Sequence, residues 1–165
     1  MIALEKILVA TDFSEPSEAA LAYGRELARN FSSMLLVVHA VDDIIARSAG
    51  TDGFVFADPA LQDQIEATAR TRVESLLSDE DREVLRAEAA VIVSNTPAYA
   101  IVDYAQKANV DLIVMGTHGR GAVAHLLLGS VAERVVRTAP CPVLTVRHPE
   151  HEFVLPDALV AVAKA

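Results

Sequence analysis

The fifteen residues GTHGRGAVAHLLLGS, Gly116 to Ser130, hold four of the chain's seven glycines and follow directly on the apolar run DLIVM. Glycine at that density either lets the backbone turn or lets another group approach where a Cβ would exclude it. The segment leads into a helix start, where free N–H groups and a partial positive charge favour phosphate. Gly116 and Gly119 taken alone fit a tight turn as well as they fit phosphate approach. Ser130 and Glu133 stand as S-x-x-E, which predicts a capping box with Ser130 bonded to the Glu133 N–H. Capping alone does not call for the glycines before it, so a ligand contact is expected of Ser130 as well. Arg120 is the one formal cation of the loop and His118 a further donor, so a phosphate here would depend on backbone N–H groups, the helix dipole and a divalent cation. Asp12, in TDFS, suits two roles: accepting hydrogen bonds from ribose hydroxyls, or closing an Asx turn before a helix.

These residues need a scaffold, and the composition restricts it. The chain has 165 residues, 52% of them hydrophobic and 5% aromatic, with no tryptophan. One domain with an aliphatic and alanine core is expected. A net charge of −9 works against long-range attraction to nucleic acid or an anionic membrane surface. No stretch reaches the roughly 18 apolar residues of a membrane span. The N-terminal MIALEKILVATDF has an acidic residue before its short apolar run and no cleavage pattern, so no signal peptide is expected. A single cysteine, Cys141, allows neither an internal disulfide nor a cysteine-based zinc site. A cytoplasmic protein is the expectation.

Continuous apolar runs predict five strands buried on both faces: Lys6–Thr11, Ser33–Val41, Glu88–Ser94, Val110–Gly116 and Pro142–Arg147. Helical spacing lies between them. Ser14 and Pro16 open the first helix; Asp58 and Pro59 open a second with Leu61, Ile65, Ala69, Val73 and Leu76 on its apolar side. Thr96 and Pro97 open a third with Ile101, Val102, Ala105 and Ala108 inward, and SVAERVVRT forms a fourth. Ser78–Glu88 reads as a solvated helix end and loop, and Asp42–Ala57 as a polar connection. This alternation gives a doubly wound α/β domain, a parallel sheet flanked by four helices. In such sheets ligands bind beyond the C-terminal strand ends, where strand order reverses. The strand at Val143–Arg147 should lie at an edge, and antiparallel pairing of two such edges suits a homodimer. Charged residues at Val143 and Val146 should then give monomers.

Reading Gly116, Gly119, Gly129 and Ser130 together gives G-x2-G-x9-G-S. With KILVATDFS near the start and APCPVLTVR near the end, the chain closely resembles the nucleotide-binding branch of the universal stress protein family, from about Lys6 to Arg147. The resemblance implies an adenine nucleotide alpha hydrolase-like fold with strand order 3-2-1-4-5, bound ATP (or AMP or ADP) with Mg2+, and a homodimer. It also implies roles: Asp12 on the ribose, with the Ala10–Thr11 backbone beside the nucleotide; Val41 on adenine through its main chain; Met115 lining the pocket. Gly116, His118 and Gly119 would surround the ribose and phosphates, and Gly129, Ser130 and Val131 would bind the phosphates. The leucines of HLLL are expected to fold inward and anchor the loop. Residues 1–148 would form the universal stress protein domain, and 149–165 a C-terminal tail docked on its own or a partner subunit.

The resemblance implies a nucleotide-responsive stress or signalling module. The alternative is a slow Mg-dependent ATPase or nucleotide-transfer enzyme, for which His118 is the one candidate base. No nucleophile–base pair, G-x-S-x-G elbow or H-E-x-x-H spacing is present, so no catalytic or metal-ligand set is assigned. Cys141 is expected only to pack, and His39 to be a satisfied core or pocket residue.

Overall fold

A computed structural model of the chain describes residues 2–48, 58–117 and 128–147. Five strands, β1 (Lys6–Ala10), β2 (Met34–Val41), β3 (Glu88–Val93), β4 (Leu112–Gly116) and β5 (Val143–Val146), pair in parallel in the order β3-β2-β1-β4-β5. The order is the expected one, and the strand bounds differ from the sequence reading by at most two residues at either end.

The apolar runs form strands because every residue along them has a core to enter. Ile7 and Val9 of β1, Leu35 and Val37 of β2 and Val114 of β4 point into one cluster; Leu8, Ala10, Leu36, Val38, Ile113 and Met115 point into another. Helices α1 (Glu15–Phe31) and α3 (Pro59–Glu74) cover the first face, α5 (Pro97–Ala108) and α6 (Ser130–Thr138) the second. Right-handed crossovers explain the split. The chain winds outward through β1, β2 and β3, then returns past β1 to β4, so the later helices lie on the opposite face.

Helix boundaries follow their caps. Asp58 Oδ1 accepts the Ala60 N–H at 2.9 Å, the expected cap of α3. Ser14 and Thr96 hold N-cap positions, but neither side chain makes a cap bond. At the other ends, Ser32 and Asn109 take left-handed conformations at φ 56 and 53. The N–H groups of Ser33 and Val110 then reach back to the Ala28 and Ala105 carbonyls, each at 2.9 Å.

Three expectations need correction. The described residues contain six helices rather than four, because short segments α2 (Ile44–Ser48) and α4 (Asp79–Val84) are helical. The first lies inside the expected polar connection, whose residues 49–57 are outside those described, as are 148–165. The second occupies the supposed solvated run. Ser78 and Asp81 form the capping box of α4, and Asp81 is 1% exposed. Its carboxylate receives the Arg25 guanidinium from α1, which also donates to the Leu76 carbonyl. Second, Leu61 of α3 is 49% exposed while Gln62 beside it is buried. Gln62 turns inward because its Oε1 accepts the Ile44 N–H and its Nε2 donates to Glu66. Third, Val146 is 6% exposed and belongs to the first core, so a charge there would attack the fold; Leu144 is the open position of β5.

Burial pushes the Asp81 carboxyl up, but hydrogen bonds from Arg25 and the Ser78 N–H and the Arg25 charge outweigh it, and its pKa is lowered. Asp81→Ala should cost about 3 kcal/mol in urea unfolding, because Arg25 loses its buried partner. A lowered folded pKa means that the Asp81 contribution is complete above the usual carboxylate range and fades as pH falls through the folded value. The stability gap between wild type and Asp81→Asn should therefore narrow below about pH 4. A gap independent of pH would show that the ion pair contributes nothing.

Candidate functional site

Strand order reverses between β1 and β4, where Ala10 at the end of β1 is in register with Met115, one residue before the end of β4. The crevice beyond that pair is where ligands of open α/β sheets bind. Three stretches converge on it: the β1–α1 turn, the end of β4 and the start of α6.

The turn is built around Thr11, which is 7% exposed. Its N–H donates to the Val38 carbonyl at 2.9 Å, and its Oγ1 accepts the Phe13 N–H at 3.0 Å and lies 3.1 Å from Ser17 Oγ. His39 Nδ1 is 2.8 Å from the Thr11 carbonyl; a carbonyl only accepts, so Nδ1 carries the proton. Thr11 thus frames the turn. Asp12, half-buried, follows it, with Oδ1 accepting from the Ser14 N–H at 3.1 Å and from the Ser14 hydroxyl. The Asx turn expected as one of its two roles is therefore present. Ser14 uses its hydroxyl on Asp12 rather than on the helix.

Between them stands Phe13 at φ 63, a left-handed conformation that costs a residue with a Cβ about 1–2 kcal/mol. Two ring contacts offset it. The His39 ring centroid lies 4.3 Å from that of Phe13, and the Arg72 guanidinium carbon sits 4.0 Å over its centre. Such contacts contribute about 0.5–1 kcal/mol each at partly exposed positions, enough to balance the backbone cost. Nothing in the sequence singles out Phe13 or Arg72, and it leads one to expect of His39 only a satisfied core or pocket residue. A large residue between Asp12 and Ser14 was the only local signal.

Gly116 ends β4 without a positive φ. A Cβ built there would lie 2.9 Å from both the carbonyl carbon and the Cβ of Pro16, and 3.0 Å from the Pro16 oxygen. Close approach is thus what the missing Cβ allows at Gly116, and the group that comes close is the chain's own first helix. Thr117 follows, its N–H donating to the Val146 carbonyl at 2.8 Å and its carbonyl accepting the Gly129 N–H at 2.7 Å. That second bond joins the two ends of the glycine segment. Leu128 packs on the second core, as expected of the last HLLL leucine. His118, Gly119, Arg120 and the rest of HLLL, residues 125–127, lie outside the described residues.

Helix α6 begins differently from the sequence reading. Its N-cap is Gly129, at φ −70 and ψ 155, and no side chain caps it. Ser130 is the first helical residue, so the predicted box with Glu133 is absent; the Glu133 N–H instead donates to the Gly129 carbonyl at 2.8 Å. The N–H groups of Ser130, Val131 and Ala132 consequently have no partner within the helix. Ser130 is exposed and Val131 half-buried.

The other expected positions are more enclosed. Ala10 and Met115 are 7% and 6% exposed, both in the second core. Val41 closes β2 at 7% exposure, its carbonyl accepting the Ser94 N–H at 2.8 Å with one lone pair. Cys141 packs half-buried against the second core, and burial pushes its thiol pKa up. Among the described residues no helix is long and apolar enough to cross a membrane.

Residues 3–147 match the family model described as the Universal stress protein family. This chain belongs to that family. A curated relative from Thermus aquaticus, named for a universal stress protein in the QAH/OAS sulfhydrylase 3' region, is 39% identical over 142 residues, covering 86% of this chain and 97% of its own. Among solved structures, the universal stress protein of Archaeoglobus fulgidus in complex with dAMP is 26% identical at a TM-score of 0.59, over 88% of this chain and 99% of its own. A universal stress protein in complex with cAMP is 25% identical at a TM-score of 0.56, over 88% of this chain and 98% of its own. The five-stranded order of the described sheet is a universal stress protein fold.

Gly116→Ala should destabilise the protein by about 1–3 kcal/mol in urea unfolding, since Pro16 backbone rather than a flexible side chain must yield. An unchanged midpoint would mean that the first turn of α1 moves aside at no cost.

Proposed function

We propose that this universal stress protein binds an adenine nucleotide, ATP or its AMP or ADP counterpart, in the crevice beyond β1 and β4. It would act as a nucleotide-responsive stress or signalling module in the cytoplasm. The observation that carries the reading is the opening of α6. A helix N-terminus without a side-chain cap begins with Gly129 at the strand-order reversal, with the Ser130 and Val131 N–H groups and the dipole available to a phosphate. In a chain of net charge −9, backbone donors of this kind offer phosphate attraction without added side-chain cations.

The nucleotides named with the two solved relatives, dAMP and cAMP, share adenine, a pentose and one phosphate. Three parts of this chain suit those groups. The Val41 main chain would meet adenine, with Met115 lining the pocket wall. Asp12 would hold the ribose while the Ala10–Thr11 backbone lies beside it. Gly129, Ser130 and Val131 would take the phosphates, and Gly116, His118 and Gly119 would surround the ribose and phosphates. Mg2+ would accompany a triphosphate, offsetting charge that the protein does not neutralise. Two copies would pair through the edge strand Val143–Arg147.

Native mass spectrometry and denaturing release of the purified protein should yield a stoichiometric adenine nucleotide, or titration should show ATP binding. Gly129→Val is sterically allowed at φ −70 and ψ 155, so the fold should persist while ATP affinity falls on the order of tenfold or more. Unchanged affinity would remove α6 from the site. For the dimer, Leu144→Lys should lower the sedimentation coefficient to that of a monomer; an unchanged value would place the contact elsewhere.

A further inference from the structure

Asp12 is bracketed by residues that belong to neither the phosphate end nor the adenine end of the crevice. On its N-terminal side, the Thr11 carbonyl is held by His39 Nδ1–H at 2.8 Å. On its C-terminal side, Phe13 is held at φ 63, its ring 4.3 Å from the His39 ring and 4.0 Å from the Arg72 guanidinium carbon. The hydrogen bond from the Ser14 N–H to Asp12 Oδ1 spans Phe13, so the carboxylate can hold its direction only while Phe13 keeps its left-handed backbone. Phe13 packs against the first core, the face covered by α1 and α3, whereas α6 lies on the other face.

We propose that Arg72, Phe13 and His39 form a positioning stack that aims the Asp12 carboxylate at the ribose hydroxyls, so that α3 helps to set how strongly the crevice reads the sugar. This rests on the reading of Asp12 as the ribose anchor. None of the three need touch the nucleotide. Arg72 holds the ring, the ring and His39 hold the turn, and the turn holds the carboxylate. Without the stack, Phe13 relaxes toward an extended backbone and the Asx turn opens. Asp12 keeps its charge but loses its direction. Adenine and phosphate contacts, made by the Val41 main chain and the start of α6, remain.

The test is the ratio of affinities for ATP and 2',3'-dideoxyATP, which lacks both ribose hydroxyls, measured by titration calorimetry. General destabilisation weakens both ligands alike and leaves this ratio unmoved. Wild type should prefer ATP by about tenfold, the worth of a hydrogen bond to a charged group, and Asp12→Ala should abolish the preference. Arg72→Ala, which removes one ring contact, should lower the ratio about two- to fivefold, and Phe13→Ala, which removes both, should bring it close to one, whereas Arg72→Lys, which keeps a cation over the ring, should retain most of it. Arg72 is exposed, so its variants test the stack even if Phe13→Ala does not fold. Wild-type preference in Arg72→Ala would overturn the stack and leave nucleotide binding standing. A wild type that binds neither ligand would overturn the nucleotide reading, and the stack with it.

Discussion

A five-stranded parallel sheet has two apolar faces, and each must be covered by helices taken from the crossovers between its own strands. Here that requirement fixes almost everything else. Successive residues of β1, such as Ile7 and Leu8, enter opposite cores, so neither face can be left open to water. Right-handed crossovers cover both faces only if the chain reverses direction once, and the reversal falls between β1 and β4. The crevice is a by-product of that reversal, since adjacent strand ends lead to helices on opposite faces. Asp12 and Gly129, more than a hundred residues apart in the chain, follow β1 and precede α6 at the same end of the sheet.

Close packing then shapes the crevice from beneath. The first turn of α1 rests on Gly116, which leaves no room for a side chain at the end of β4. Thr11 ties β1 to β2 and to α1, while Thr117 ties the end of β4 to both β5 and Gly129. Rigid supports on both sides matter for a site that relies on backbone donors, because a backbone N–H has no rotamer with which to correct a misplaced strand. The chain places its few strained backbone positions where such supports exist. Phe13 is held by two ring contacts, and Ser32, Arg86 and Asn109 by hydrogen bonds at helix ends.

Strand order came through family resemblance. The sequence by itself determined the strands, the principal helices and the places of Asp12 after the first strand and of Gly116, Gly129 and Ser130 between the fourth strand and the last helix. Those features are written in local chemistry: apolar runs, prolines after cap residues, and glycine spacing. Only the tertiary structure decided which neighbour each residue serves. Gly116 is small because Pro16 lies against it. Ser130 is no cap because the chain enters α6 one residue earlier, where Gly129 is tied to Thr117. Asp81 sits in a run of charges that looks solvated, yet it is buried because Arg25 reaches it from a helix more than fifty residues earlier. Arg72 and Phe13 carry no sequence signal of their meeting for the same reason. Periodicity records which side of an element faces inward, but a contact between distant elements depends on how the sheet is wound, and no local pattern encodes that.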